Sequence, residues 1–388
     1  MALAFQPIRS RLVLFASGFE PLGPAQHQER FARTLMRTVQ VWGIAAEADP
    51  LLEVGDAVAR FRAGATGPDW RTEAEIRLLN WDDLLRAELA RGIVPRLARG
   101  VAALASVIRR GTLKRYMAAH WRYGLFAMWP LLLLGGAATG GVVAGLLLGA
   151  LPGAGMAAGL TAVACRYGHI DLLLADWAFA RDLAKGAHEA RIARFADEVI
   201  AARHAQVEEV VLVGHSLGAV FAVQALAESL RRDPDPPPSG PRVALVGLGS
   251  SVLKIALLPE AVRLRADLAL LAGTPGLVWT DYASRRDVLS FERSEPVGFL
   301  GLPGRGPRLE SVHPRDMVDT ATWKRIRWNF LRLHRQYVMG NGRRHFLDFG
   351  LLACGPLPTG AGLRAERLLD HHGAISQDVV GLPEGLAA

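Results

Sequence analysis

At 388 residues the chain is long enough for one large domain or two ordinary ones, with ample room for a core. Its two cysteines, Cys165 and Cys354, exclude a disulfide framework and make a reducing compartment the expectation. The formal charge is +8 and half of the residues are apolar; a nucleic-acid surface and an ordinary solvated surface both account for such a balance, but the crowding of basic residues on one side of an apolar segment points to a membrane surface instead.

The opening stretch, MALAFQPIRSRLVLFASGFEPLG, lacks the long apolar run and small-residue cleavage site of a secretory signal and reads as a mature N-terminus. Leu12–Ala16 predicts a first strand, and QERFARTLMRTVQVWG an amphipathic helix. WRTEAEIRLLNW alternates as a second strand does, and a helix starts at Asp82. Residues 92–110 form a basic amphipathic helix that suits a membrane surface or an ordinary half-buried packing equally.

Arg96, Arg99, Arg109, Arg110, Lys114, Arg115 and Arg122 then crowd the entrance to a run without a charged side chain, Tyr123 to Cys165. One membrane crossing needs about 20 apolar residues, so the run predicts two spans, a hairpin inserted at 111–180. The basic cluster places its open end on the cytoplasmic side. Glycines four apart (Gly136/Gly140, Gly141/Gly145/Gly149, Gly155/Gly159) would let the two helices approach closely. The turn is open between Leu151-Pro152-Gly153 and Gly140-Gly141. Trp121, Tyr123 and Trp129 suit the interface.

Beyond the run, residues 186–205 predict a helix leading into a strand at Val210–Val213, and RRDPDPPPSGPR a loop. VALVGLGS and GLVWTDY read as further buried strands. Alternating strands and helices argue for an α/β fold: a mostly parallel sheet with helices on both faces, formed by residues 1–110 and 181–356 around the inserted hairpin. The tail, 357–388, has little periodicity and is expected to pack loosely or not at all.

Gly214-His215-Ser216-Leu217-Gly218 lies where the Val210–Val213 strand must turn into a helix, and it matches G-x-S-x-G. In so sharp a turn, side chains two residues either side of the serine collide, and glycine at both places relieves this. The hydroxyl is left at the N-terminus of the next helix, whose dipole favours developing negative charge. A hydroxyl nucleophile needs a base, and the base an acid. Downstream, Asp281 falls within a strand and Asp287 in the loop beyond it, so Asp287 is the choice of acid, with Asp281 structural. His313, His334 and His345 follow. His334 is the choice, because a strand-like stretch precedes it, with the other two as alternatives. Leu217, after the serine, and Phe19, freed by Gly18, would offer the backbone N–H pair that binds an oxyanion. Histidines and cysteines lack metal-ligand spacing, so no metal or cofactor is expected.

These residues resemble the α/β-hydrolase superfamily, in particular lipase- and esterase-like bacterial serine hydrolases: GHSLG at 214–218, SGFEP at 17–21, WTDYASRRDV at 279–288 and HRQY at 334–337. Many relatives have His-Gly where this chain has Ser17-Gly18, and the uncharged run is an insertion into the common fold. The resemblance implies a serine hydrolase with an acyl-enzyme on Ser216. The hairpin adds an anchor in the bacterial inner membrane, the catalytic part on the cytoplasmic side, and lipid or acyl esters as partners, with no nucleic acid. Thioesterase or acyltransferase chemistry would use the same residues. The rival class is a catalytically silent membrane protein of this fold used for binding or assembly.

Overall fold

The computed structural model describes residues 6–234, 239–360 and 368–376. Nine strands make one sheet: β1 (Ser10–Ala16), β2 (Ala45–Ala48), β3 (Glu53–Val54), β4 (Val58–Thr66), β5 (Arg71–Leu79), β6 (Glu209–His215), β7 (Arg242–Leu248), β8 (Val278–Ala283) and β9 (Arg308–Ser311). Their order is β2-β4-β5-β1-β6-β7-β8-β9, with β3 on β4. From β5 to β9 every pairing is parallel, and β2, β3 and β4 add an antiparallel edge. The fold is thus α/β and mostly parallel, as expected.

The strands at the centre are continuous apolar runs because helices cover both faces. Val210, Leu212 and Leu245 point to one hydrophobic cluster, and Val211, Val213 and Val246 to the other. β5 alternates instead: Thr72, Ala74, Ile76 and Leu78 turn inward, and the charged residues between them face out or lie half-buried. Sequence reading had passed over β2 to β4. Their short Ala/Glu and Ala/Arg alternation is a weak apolar signal, and β4 gains its identity from the pairing with β5.

Arg11 on β1 and Glu209 on β6 stand side by side and form an ion pair fully shielded from solvent, 2.7 Å. The guanidinium also donates to the carbonyls of Gly355 (2.9 Å) and Leu357 (2.7 Å), and the carboxylate accepts the Thr359 amide (2.8 Å). A buried pair needs such extra hydrogen bonds to offset desolvation. Part of the tail is therefore fixed on the domain: Leu368, Leu369 and Ile375 are buried as well. This corrects the expectation of a loose tail for 357–360 and 368–376; residues 361–367 and 377–388 lie outside the described residues, as do 235–238 of the proline-rich loop.

The inserted segment has two parts. Helices Thr112–Ala119, Trp121–Ala127 and Ile170–Ala184 join the domain, burying Tyr116, Tyr123 and Trp177 in its core. Beyond them project Trp129–Leu148 and Ala150–Gly168, packed on each other. Among the described residues one helical stretch, Trp121–Leu148, which joins Trp121–Ala127 to Trp129–Leu148 through Met128, is long and apolar enough to cross a membrane, and 17% of its apolar window is buried. The turn lies at Gly149 (φ +99°), at neither of the two places expected. Pro152 falls in the first turn of the second helix, where its missing N–H has no partner to lose. Gly141 and Gly153 make the close approach: a Cβ at Gly141 would lie 2.6 Å from Ala157 Cβ, and one at Gly153 2.7 Å from Gly145 Cα. Gly136, Gly155 and Gly159, expected to share this role, have nothing within 4 Å.

The basic helix, Ile93–Arg109, packs on Ile170–Ala184, with Gly100 against Leu174. Arg99 pairs with Asp182 (2.6 Å) and Glu88 (3.3 Å), and Arg96 with Asp171 (3.6 Å). It is a half-buried helix in which Arg96 and Arg99 meet acids of the neighbouring helices, while Arg109 is exposed and pairs with none among the described residues.

Candidate active site

The carboxyl ends of β1, β6, β7 and β8 converge, and the loops leaving them carry the chemistry. At the end of β6, Ser216 has φ +55°, a left-handed conformation that costs a residue with a Cβ about 1–2 kcal/mol. The helix Gly218–Arg232 starts immediately after it. Both flanking glycines are sterically required. A Cβ at Gly214 would lie 2.2 Å from Ala219 Cα, and one at Gly218 2.1 Å from Ala16 O. The serine backbone is clamped by the loop after β7: its N–H donates to Leu248 O (2.9 Å) and its carbonyl accepts Ser251 N–H (3.1 Å). Ser216 Oγ lies 3.4 Å from Ser251 Oγ.

Asp287 and His334, chosen from sequence, are brought together. His334 Nδ1 is 2.7 Å from Asp287 Oδ2, and both residues are buried. Tyr337 donates its hydroxyl to the same oxygen (3.0 Å), and Leu289 N–H donates to Oδ1 (3.0 Å). Burial pushes the Asp287 carboxyl up, but the charge and hydrogen bond of His334, with the Leu289 amide, outweigh it and hold the group below its usual range. The buried His334 Nε2 has no hydrogen-bond partner among the described residues, and His334 lines the same pocket as Ser216. No hydrogen bond joins Ser216 Oγ to His334 here; in unliganded sites such bonds are often long and tighten on substrate.

The route to His334 differs from the expected one. Among the described residues the last strand is β9, and short helices, Pro314–Met317, Thr320–Ile326 and Phe330–Arg335, replace the strand-like stretch. Asn329 caps the last of them, accepting Arg332 N–H (2.9 Å), and puts His334 on its inner face. Gly249 (φ +57°) makes room for it: a Cβ there would lie 2.9 Å from His334 Cε1. His313 is exposed, and His345 stacks on Phe346 and accepts Leu347 N–H.

Gly18 comes directly against the serine, since a Cβ there would lie 3.1 Å from Ser216 Cβ and 2.9 Å from His215 Nδ1. The N–H groups of Phe19 and Leu217 donate to no described residue. Behind them lies a polar cluster that sequence reading missed. Arg30 grips both oxygens of Glu20 (2.9 and 2.8 Å), and His215 Nε2 is 3.1 Å from His334 O. Burial raises the Glu20 carboxyl, but the charge and hydrogen bonds of Arg30, with Arg335 nearby, pull it down to about 2. Burial and the neighbouring His334 lower His215 to about 3, so its ring is neutral near pH 7. No spacing rule links Glu20, Arg30 and His215; the fold brings them together.

Asp281 is the structural acid. Its carboxyl leans over Gly247, where a Cβ would lie 1.8 Å from Oδ1, and burial, aided by Glu295, pushes it up to about 7. The native group keeps its proton up to about pH 7, whereas the unfolded one ionises near 3.8. Its contribution is therefore fully present below about pH 4 and is lost as pH rises to about 7. Asp281→Asn is expected to raise stability at pH 8, by on the order of 3 kcal/mol, and to add nothing at pH 4. Thermal midpoints at the two pH values check this; equal gains at both would remove the burial explanation.

The pocket, about 70 Å³, is lined by Ser216, Ser251 and His334 on its floor. Phe19, Tyr123, Phe126, Leu172, Leu173 and Trp177 also line it, so the helices Trp121–Ala127 and Ile170–Ala184 border the site. Lys254 pairs with Asp176 on this border and lies 4.5 Å over the Trp177 ring. Among the described residues no group of His, Cys, Asp and Glu could hold a metal ion. No family model, no curated protein and no solved structure matches the chain.

Proposed function

We propose that the chain is a membrane-anchored serine hydrolase of the α/β-hydrolase type, cleaving carboxylic esters, lipid or acyl esters in particular. The observation that carries this is the state of His334: Nδ1 held by a buried carboxylate, Nε2 buried without a partner, and the ring sharing a pocket with a serine in left-handed backbone. In this reading Ser216 Oγ attacks the ester carbonyl carbon while Nε2 takes its proton. The carbonyl oxygen becomes an oxyanion, bound by the N–H groups of Leu217 and Phe19 and favoured by the dipole of Gly218–Arg232. Collapse breaks the bond to the alcohol, which leaves with the proton from Nε2. Water, deprotonated by the same nitrogen, then cleaves the acyl-enzyme and restores Ser216. Asp287 fixes the tautomer throughout. Ester hydrolysis by the purified protein in detergent, over p-nitrophenyl esters of graded chain length and phospholipids, tests the reading. Release no faster than that of Ser216→Ala with every ester would count against it.

Gly18 sets the approach of the oxyanion loop. Gly18→Ala is expected to lower kcat/KM by about 10–100-fold, because its Cβ would push the Phe19 amide away from the serine. Unchanged kinetics would move the second donor to another loop.

Two features support the anchor. The tip of the projecting pair is apolar and exposed, Leu146 at 83% and Leu151 at 87%, which water disfavours and hydrocarbon does not. β1 and β6 pair directly although the apolar run separates them in sequence, so the chain must return to the side it left. We expect the protein to resist alkaline carbonate extraction and to become soluble when 129–168 is replaced by a short polar linker. Full-length protein in the detergent-free soluble fraction would sink the anchor.

A further inference from the structure

Outside the pocket lies a second concavity, a groove of about 660 Å³ between the helix Pro24–Trp42 and the segment Val318–Gly342. Glu20 and Arg335 line both pocket and groove, so the two adjoin at the oxyanion loop. Their linings differ in kind. Beside the shared Glu20 and Arg335, the site's serines and histidines, and the paired Lys254 and Asp176, the pocket is lined by aromatic and aliphatic side chains, whereas the groove adds four further arginines, Arg30, Arg37, Arg325 and Arg332.

The groove's two carboxylates are already engaged. Glu20 is gripped by Arg30 and lies 3.4 Å from Arg335. Asp319 caps the helix Thr320–Ile326, accepting Thr322 N–H (2.8 Å) and its hydroxyl (2.7 Å). Arg37, Arg325 and Arg332 are exposed, and none pairs with a carboxylate among the described residues. Arg37 reaches Gln40 (3.3 Å) and Arg325 the Thr322 hydroxyl (3.1 Å), both neutral. Some arginines elsewhere find acids, as Arg191 does with Asp83 and Arg232 with Asp197, while others, such as the exposed Arg62 and Arg194, pair with none among the described residues. The groove differs in gathering three unpaired ones around one concavity. Three guanidiniums without a carboxylate partner, Arg37 from one side of the groove and Arg325 and Arg332 from the other, make a potential that suits an anion, and their planar forks match phosphate oxygens.

We propose that this groove holds the phosphate of the substrate's leaving group while the apolar pocket takes the acyl chain. The assignment rests on the ester-hydrolase reading and extends it to a substrate class: acyl esters or thioesters of a phosphorylated alcohol or thiol. A lipid headgroup and a phosphorylated carrier thiol share this chemistry.

Binding separates the groove from the chemistry. The probes are glycerol 3-phosphate and pantetheine 4′-phosphate, each against its dephosphorylated form, titrated by calorimetry onto full-length Ser216→Ala protein in neutral detergent. The expected result is binding of at least one phosphorylated probe at least 10-fold tighter than its partner, weakened by salt, and lost at least 10-fold in Arg325→Ala/Arg332→Ala. Preference for the glycerol probe names a lipid headgroup; preference for the pantetheine probe names a carrier thioester. Equal binding of phosphorylated and dephosphorylated forms, or affinity unchanged in the double variant, would overturn the proposal. Hydrolysis without phosphate binding would defeat the groove alone, and phosphate binding without hydrolysis the hydrolase reading alone.

Discussion

Ser216→Ala is expected to remove ester hydrolysis, by about 10⁵-fold or more in kcat, while leaving expression and membrane association unchanged. Its hydroxyl makes one long contact, 3.4 Å to Ser251, so packing loses little. The backbone supplies a second readout. At φ +55° any Cβ is strained and glycine is not, so Ser216→Gly should be more stable than Ser216→Ala by roughly 1 kcal/mol, and equally inactive. Paired denaturation curves check the difference. Residual activity of more than a few per cent in either variant would move the nucleophile elsewhere, Ser251 being next in line.

His334→Ala is expected to cost about 10⁴-fold or more in kcat. The ring is the one group in the pocket that meets a buried carboxylate through one nitrogen and leaves the other without a partner. Asp287→Asn should cost about as much, because an amide in its place donates where it must accept, and the imidazole adopts the wrong tautomer. His313→Ala, on an exposed residue, and Asp281→Asn, on the neighbouring strand, should stay within about threefold of the parent rate. A larger loss in His313→Ala than in His334→Ala would require a different last strand from β9 and another base.

The contrast between these pairs marks what the sequence carried. Ser216 was legible because the geometry of its turn demands Gly214 and Gly218, and a demand at fixed spacing shows in one sequence. Asp287 was separable from Asp281 because a strand boundary fell between them. The reading that points to His334 rests on a preceding strand, and the structure has a capped helix there instead, so His334 reaches Asp287 by a route periodicity does not disclose. Other features have no local signature. Glu20, Arg30 and His215 meet across the sheet's carboxyl end, and Arg11 finds the tail's carbonyls far along the chain. The turn at Gly149 was hidden by Pro152, which reads as a breaker and sits where a helix tolerates it. The arginines before the apolar run looked free for lipid, yet Arg96 and Arg99 answer acids of their own domain.

Labelling with a fluorophosphonate probe, read by mass spectrometry of the peptide containing Gly214–Gly218, tests most directly whether Ser216 is an activated nucleophile. The prediction is one phosphonate adduct on Ser216 Oγ in the native protein, absent in Ser216→Ala, slowed in His334→Ala and undiminished in Asp281→Asn. No adduct on the native protein, or one that persists in Ser216→Ala, would contradict it.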